Sequence, residues 1–293
     1  MPSFSHEHAG AAAAFASTVL WGLSYVAMKF ALESFHPLVM NFFRMLISFA
    51  VLVAFLPYTA RWAKYQKGDW ITFCLLVLCE PCLYEICESL ALCRTSASQA
   101  GMINATLPVF TGIFGYLMLG ERLSRLSWTG CFLTIVGAVW LSLAAVSDEH
   151  ASNPLLGNML MTAGMVVAAF YAVFFRRLSL RYSPMLIITA QSFTGTLFFM
   201  PSLFLPGMGM PHAASVLSWS CVIFLGVGVS CCALVLYGFG MRILGASRAT
   251  MYMNLIPVFT IVFSLLILGE RMDMMQWLAS ALVFAGVLLS QKT

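Results

Sequence analysis

The chain has 293 residues, of which 61% are hydrophobic and only 9% are charged. A soluble globular protein carries about 25% charged residues, so this composition excludes an ordinary soluble domain. The net charge of +4 comes without a long basic tract, which argues against a nucleic-acid partner. Apolar runs of about 20 residues can span a bilayer as helices, and their recurrence predicts an all-α polytopic membrane protein.

Ten apolar segments are separated by short polar gaps rich in proline, glycine or charge. We predict ten transmembrane helices at 11–32, 37–57, 70–91, 97–119, 126–146, 155–176, 184–204, 216–240, 247–268 and 274–290. The gaps between them are too short for a nucleotide-binding domain, and no Walker-type glycine loop is present. Residues 1–10 lack the positive start of a secretory signal, and we expect a solvated tail there rather than a metal site at His6-Glu7-His8.

Lysine and arginine predict the orientation, because they concentrate in cytoplasmic loops. With the N-terminus inside, eleven of these residues fall on the cytoplasmic side: Arg61, Lys64, Lys67, Arg122, Arg125, Arg176, Arg177, Arg181, Arg242, Arg248 and Lys292. Three fall outside, namely Lys29, Arg94 and Arg271. We therefore predict that both termini are cytoplasmic.

One motif occurs twice, at Ser98–Arg122 and at Ser247–Arg271. The two copies are half a chain length apart, and Trp128 with Trp277 keeps the same register. Each half holds five predicted helices, an odd number, so the second half must enter the membrane upside down. We predict two five-helix inverted repeats, 1–146 and 155–293, related by a pseudo-two-fold axis in the membrane plane.

These paired motifs resemble a known family. Both halves carry Pro-Val-Phe-Thr, at 108–111 and 257–260, followed by Gly-Glu-Arg, and Trp21-Gly22 and Pro37 through Arg44 add to the match. The chain resembles the EamA-type ten-helix branch of the drug/metabolite transporter superfamily. The resemblance implies a secondary transporter, typically an exporter of small metabolites, in the inner or plasma membrane. It also implies a central cavity surrounded by both halves, with the fifth and tenth helices more peripheral, and it implies no particular substrate.

The third segment carries more acid than the family pattern leads us to expect. Charges at bilayer depth are costly and usually functional. At about 100° per residue, Glu80, Tyr84 and Glu88 share one helix face, and we expect them to line the translocation path. One of these carboxylates is a candidate proton site. The alternative is a fixed ion pair between Arg44 and Glu85 or Glu88, because counting residues from the segment ends places all three at similar depth.

Aromatic and polar side chains from several segments complete the candidate site. An apolar cavity with a few polar tips suits an organic ligand. The alternative for each single residue is helix packing or interhelical hydrogen bonding. The candidate substrate-binding residues are Trp21, Tyr25, Glu80, Tyr84, Glu88, Asn104, Tyr171, Tyr237 and Tyr252, and the candidate proton or ion-pair residues are Glu80, Glu85, Glu88 and Arg44.

The sequence predicts no catalytic residue, metal or cofactor. Cys79 and Cys82 form a CxxC within an apolar run, without a second pair or a histidine cluster, so we interpret both as small buried residues. The expected partners are a small-molecule substrate and the lipid bilayer, while proton coupling and a homodimer stay open. Two rival interpretations are a non-transporting membrane scaffold and an intramembrane enzyme using Glu80, Glu85 and Glu88. The enzyme would need an opposing carboxylate, which the second half does not supply at depth.

Overall fold

The structure is a computed structural model that describes residues 4–60, 66–119, 124–145, 147, 151–179, 181–211, 213–244 and 252–290. The described residues form helices and no strand. Apart from the one-turn helix Leu56–Ala60, which extends α2, the α-helices in chain order are α1 Phe4–Leu32, α2 Pro37–Leu52, α3 Asp69–Val77, α4 Tyr84–Leu92, α5 Ala97–Asn104, α6 Leu107–Leu119, α7 Arg125–Leu143, α8 Pro154–Ser179, α9 Pro184–Phe199, α10 Val216–Ile223, α11 Leu234–Leu244, α12 Ile256–Phe263 and α13 Met274–Ser290.

Several of these helices join end to end into longer apolar units. A π-helical turn, Leu78–Leu83, links α3 to α4, and another, Phe224–Ala233, links α10 to α11. In the described ranges, eight helical units are long and apolar enough to cross a membrane. The last two predicted spans correspond to shorter apolar helices, 256–268 and 274–290, and the start of the predicted 247–268 span lies outside the described residues.

Short polar residues begin many of the helices. The hydroxyls of Ser96, Ser124, Ser183 and Ser215 each accept a hydrogen bond from a backbone N–H in the first turn that follows. This N-cap satisfies a donor that has no partner inside the helix. The helix boundaries at these sites therefore follow from local chemistry as well as from the apolar pattern.

The first helix begins earlier than the predicted span, although Glu7, His8 and Ala9 are exposed, as expected for a solvated tail. Helix α1 already begins at Phe4, seven residues before the predicted start at 11, and runs without interruption to Leu32. The alanine-rich stretch 9–14 explains the difference, because alanine is the strongest helix former and carries the helix toward the N-terminus.

Two proline-bearing segments break where the sequence places a proline. The helical hydrogen bonding pauses at Ala105-Thr106, just before Leu107-Pro108, and again at Asn254-Leu255, just before Ile256-Pro257. Proline lacks a backbone N–H, so it interrupts a helix but fits its first turn. The first break separates α5 from α6. The second break comes directly before α12, in the second copy of the motif.

Helices α7 and α13 pack tightly against each other at the side of the bundle. A Cβ built on Gly286 would meet the amide nitrogen of Thr134 at 2.5 Å, and one on Gly130 would meet that of Ser290 at 2.2 Å. Glycine at both positions therefore lets the two backbones touch. Many of the other faces of these helices carry exposed apolar residues, such as Phe132 and Trp277.

The main apolar core lies elsewhere, among α1, α2, α4, α5, α8 and α10. Met28, Met40, Leu92, Ala97 and Val222 are all fully or almost fully buried there. This core holds together the ends of the helices near the 33–36 and 93–96 connections. The acidic third segment joins the core through α4.

Candidate functional site

An ion cluster occupies the interior between α2 and α4. Arg44 Nη1 lies 2.7 Å from Glu85 Oε2 and 3.6 Å from Glu88 Oε2. All three residues are buried, with exposures of 7%, 1% and 5%. The mutual attraction of these charges offsets the cost of removing them from water. The structure thus brings together Arg44 and both of the carboxylates that the sequence analysis weighed as its partners.

Arg44 also reaches the second half of the chain. Its Nε donates a hydrogen bond to Ser230 Oγ at 3.1 Å, in the π-helical turn between α10 and α11. The cluster therefore ties together α2, α4 and the Phe224–Ala233 turn. Sequence reasoning did not assign Ser230 a role, because a serine in an apolar run carries no pattern that identifies its partner.

Asn41 is a second residue that sequence reasoning missed. Its Nδ2 donates to the carbonyl oxygen of Glu85 at 3.0 Å and to Ser89 Oγ at 3.2 Å. Asn41 lies three residues before Arg44, so both side chains share one face of α2. That spacing is the signal that could have identified it. Asn41 fixes the backbone of α4 while Arg44 binds its carboxylates.

Tyrosines connect the ion cluster to α1 and α5. Tyr84 donates its hydroxyl proton to Glu88 Oε1 at 2.6 Å, and Asn104 Nδ2 donates to the hydroxyl oxygen of Tyr25 at 2.8 Å. Tyr25 also lies within electrostatic range of Tyr84 and Glu88. Hydrogen bonds thus join Asn104 to Tyr25 and Tyr84 to Glu88, and the two pairs are close enough to interact electrostatically.

Glu80 occupies a break in the third segment. Its φ of −139° and ψ of 125° are extended rather than helical, and Pro81 follows it. The carbonyl oxygen of Glu80 accepts a hydrogen bond from Gln191 Nε2 at 3.0 Å, and Gln191 Oε1 accepts one from the Tyr171 hydroxyl at 3.3 Å. Gln191 therefore satisfies a backbone group that the break removes from the helix.

The break corrects one step of the sequence analysis. Placing Glu80 on the face of Tyr84 and Glu88 assumed an unbroken helix, but the regular α-helical spacing starts only at Tyr84. Tyr84 and Glu88 keep their predicted relation and bond to each other, whereas Glu80 is oriented by the break and by Gln191.

The Glu80 carboxylate differs from the other two acids. No hydrogen-bond donor or ion-pair cation lies within bonding distance of it among the residues that the structure describes. It is partly exposed, yet it interacts electrostatically with buried Arg44 and Glu85. Tyr171 and Tyr84 also lie within its electrostatic range. The Glu80 carboxylate therefore lies near the Arg44 cluster without bonding to it.

The remaining aromatic candidates are only partly assembled. Trp21 and Tyr237 pack edge to face, with ring centroids 5.3 Å apart, which joins α1 to α11. Both rings are partly exposed. In the described part of the chain, no hydrogen bond or ring contact joins Tyr252 to the Arg44 cluster. The contacts of the described residues therefore do not connect Tyr252 to the cluster, and the ring contact of Trp21 and Tyr237 is with each other.

Of the three carboxylates near Arg44, those of Glu85 and Glu88 contact the guanidinium, whereas that of Glu80 has no bonded partner among the described residues. Within the described ranges, no group of three or more histidine, cysteine or acidic residues is placed to hold a metal ion. Cys79 and Cys82 are free thiols, the first partly exposed and the second buried.

The sequence is similar to those of several proteins named transporters or exporters. An uncharacterized transporter of Archaeoglobus fulgidus is 26% identical over 93% of both chains. The uncharacterized inner membrane transporter YedA of Escherichia coli is 25% identical over 95% of this chain and 89% of its own. A probable terminal-alkyne amino-acid exporter of Streptantibioticus cattleyicolor is 24% identical over 93% and 90%.

A solved crystal structure shares the fold, with a TM-score of 0.65 at 18% identity over 96% of each chain. The model of the EamA-like transporter family matches residues 8–143 and again residues 155–291. These two matches cover nearly the whole chain and include every residue of the Arg44 cluster. The protein is a multi-pass membrane transporter, and it belongs to the EamA-like transporter family.

Proposed function

We propose that this transporter exports a small organic solute by alternating access through ten transmembrane helices arranged as two inverted repeats. The separate family matches at 8–143 and 155–291 support the division into halves. The outward direction is supported by the Streptantibioticus cattleyicolor relative, which is named an exporter. The shorter helices 256–268 and 274–290 cross the bilayer as the ninth and tenth spans in this proposal.

The unpaired Glu80 carboxylate is the observation that carries the site assignment. A partly exposed carboxylate without a bonded cation among the described residues attracts a positively charged group. Tyr84 and Tyr171 lie in its electrostatic range, and aromatic faces also bind cations favourably. The site therefore selects solutes that carry a protonated amine or another cationic group.

The other charged residues serve a different purpose in this proposal. Arg44 neutralises Glu85 and Glu88 in a buried cluster that stabilises the inner wall of the path. Tyr25, Asn104 and the Trp21–Tyr237 pair line the same path on the α1, α5 and α11 sides. Glu80 alone exchanges partners during transport, accepting the cationic solute in one step and a proton in another.

The membrane placement follows from charge and from a relative. The lysine and arginine bias puts both termini in the cytoplasm. The Escherichia coli relative is named an inner membrane transporter, which supports the corresponding membrane for this chain. No catalytic step is part of the proposed function.

Flux into proteoliposomes tests the proposal. We would offer amine-bearing, zwitterionic and anionic organic solutes with an imposed proton gradient, and compare the natural protein with Glu80→Gln. Loss of the charge should reduce amine flux by more than about tenfold, since each 1.4 kcal/mol of lost interaction is tenfold. Asp273→Asn is the matched control, because Asp273 is an exposed acid before α13 and asparagine retains an oxygen that can accept from the Gln276 nitrogen. Equal flux in both variants, or transport of anions only, would contradict the assignment of Glu80.

A further inference from the structure

The most complete polar contact between distant parts of the chain lies outside the ion cluster. Glu270 follows the helical unit 256–268 and is 4% exposed. Its Oε1 accepts a hydrogen bond from the backbone nitrogen of Ala97 at 2.7 Å, and its Oε2 accepts one from that of Ser98 at 2.9 Å. The hydroxyl of Ser98 also donates to Oε2. One carboxylate thus binds the first turn of α5 from the other half of the chain.

The helix end at Gly269 directs Glu270 inward. Gly269 adopts a left-handed φ of 67°, which residues other than glycine seldom take. A Cβ at this position would meet nothing within 4 Å, so the requirement for glycine is conformational. After this turn Glu270 is buried, while the adjacent Arg271 is exposed.

Glu270 completes the N-terminus of α5. Ser96 Oγ accepts from the Gln99 nitrogen at 3.2 Å, and the Ser96 carbonyl accepts from the Ala100 nitrogen at 3.1 Å. Glu270 binds the remaining two free amides, and its negative charge complements the positive end of the helix dipole. Among the described residues, no lysine or arginine pairs with Glu270. The helix end is therefore its principal partner.

A cleft of about 400 Å³ borders this contact. Its walls include Leu92 and Cys93, where α4 meets the 93–96 connection, and Ile267 and Leu268, just before Gly269. The two connections joined by Glu270 therefore form adjacent sides of one opening. Behind them Ala97 and Ala100 are fully buried.

This contact differs from the Arg44 cluster in how it can be released. If the two connections separate, water can solvate both the Glu270 carboxylate and the α5 amides, so neither partner stays unsatisfied. Separation of Arg44 from Glu85, in contrast, would leave charges in the interior of the bundle. The Glu270 contact is the one that suits repeated breaking and re-forming.

We propose that Glu270 is a latch that holds this end of the transport path closed by capping α5, and that its release opens this end. The inference rests on the proposed alternating-access cycle, because a latch requires two states. It identifies a residue far from Glu80 that controls access rather than solute binding.

Cysteine labelling tests the latch without any solute. Ala100→Cys, in a background lacking the nine native cysteines, places a thiol behind the latch, and the protein is held in nanodiscs with both faces accessible. Glu270→Gln replaces one of the two carboxylate oxygens by an NH₂ group, which cannot accept a hydrogen bond. One of the backbone N–H groups of Ala97 and Ser98 therefore loses its acceptor. We expect maleimide labelling to be about tenfold faster, as for the loss of one charge-assisted hydrogen bond.

Asp273→Asn is the matched control. Asp273 is an acid in the same connection, but its Oδ1 accepts from the Gln276 nitrogen at 2.7 Å and caps its own helix α13. Labelling should stay at the natural rate in this variant. Ser98→Ala removes the hydroxyl bonds to Glu270 and to Ser264 and leaves the two backbone bonds to Glu270 in place. It should increase labelling by a smaller factor, and it tests the latch if Glu270→Gln does not fold.

Two results would overturn the latch. Labelling at the natural rate in both Glu270→Gln and Ser98→Ala contradicts it, and so does an equal increase in Asp273→Asn. Because the assay contains no solute, either result can occur while proteoliposome flux and its dependence on Glu80 persist. Failure of the latch is thereby separated from failure of the proposed function.

Discussion

Arg44 and Glu85 form a buried ion pair in which Nη1 and Oε2 are 2.7 Å apart. Removing one member of such a pair leaves its partner charged without compensation. We expect Arg44→Ala to lower the free energy of unfolding by about 3–5 kcal/mol, the range for broken buried pairs. Chemical unfolding in detergent measures the change.

The comparison for this prediction is Arg94→Ala. Arg94 Nη1 donates to the carbonyl oxygen of Leu90 at the end of α4, where the side chain is only partly buried. That change should cost at most about 1 kcal/mol, as for a single hydrogen bond. Equal losses in the two variants would show that the Arg44 charge has no special role in stability.

Tyr84 supports Glu88 through a hydrogen bond of 2.6 Å. Tyr84→Phe keeps the ring and removes the donor, so we expect a loss of about 1.5–3 kcal/mol in unfolding free energy, the range for hydrogen bonds to charged groups. Tyr116→Phe is the control, because Tyr116 is 44% exposed and its hydroxyl has no hydrogen-bond partner in the described ranges. Unchanged stability in Tyr84→Phe would contradict the predicted support.

Substitution of Gly286 by alanine tests the close packing of two helices, and substitution of Gly238 is its control. A Cβ on Gly286 would lie 2.5 Å from both the backbone nitrogen and the hydroxyl of Thr134, so Gly286→Ala must separate α7 from α13. Overpacking of this kind costs about 1–3 kcal/mol. A Cβ on Gly238, within α11, would meet nothing within 4 Å, and Gly238→Ala should be neutral or stabilise by up to about 1 kcal/mol. Thermal melting of the two variants should shift in different directions, and a stabilised Gly286→Ala would refute the close packing.

The environment of His36, at the start of α2, predicts that the stability of the protein depends on pH. Its Nδ1 accepts a hydrogen bond from the Leu38 nitrogen at 3.3 Å, and burial lowers the pKa of His36 below its ordinary value. The unfolded chain then binds a proton at higher pH than the folded protein does, so His36 contributes stability above about pH 6.5 that is lost as the pH falls through its folded pKa. His36→Asn keeps a capping acceptor that does not titrate. Its melting temperature should fall less than that of the natural protein between pH 8 and pH 5, and equal falls would exclude this role.

Some of these contacts could be predicted from sequence because they depend on depth and local spacing. Arg44 and Glu85 lie at similar distances from the ends of their segments, so their pairing needed no knowledge of the fold. The break near Pro81 also follows from the missing N–H of proline. The orientation of Glu80 does not, because it depends on a hydrogen bond to Gln191, which lies 111 residues away.

Glu270 illustrates the same limit. Its position shortly before α13 is typical of a residue that caps the next helix, but Glu270 does not bond to α13. Asp273 and Gln276 take the capping role in α13 by bonding to each other's backbone nitrogens. Glu270 instead caps α5, more than half a chain away, and only the tertiary arrangement brings the two together. Its repeat partner, Glu121, lies outside the described residues.

Gln191 positions Glu80 without contacting the carboxylate itself. Its Nε2 binds the Glu80 carbonyl at 3.0 Å, and its Oε1 accepts from Tyr171. Gln191→Leu removes both bonds but retains the volume, so the Glu80 carboxylate is no longer held beside Tyr171. We expect the half-saturating concentration of an amine solute to rise about tenfold, as for the loss of about 1.4 kcal/mol, with maximal flux less affected. A defect confined to folding would instead lower maximal flux in proportion to the amount of folded protein. Gln191→Glu restores only the acceptor for Tyr171, so it should not rescue affinity if the bond to the Glu80 carbonyl is the one that matters.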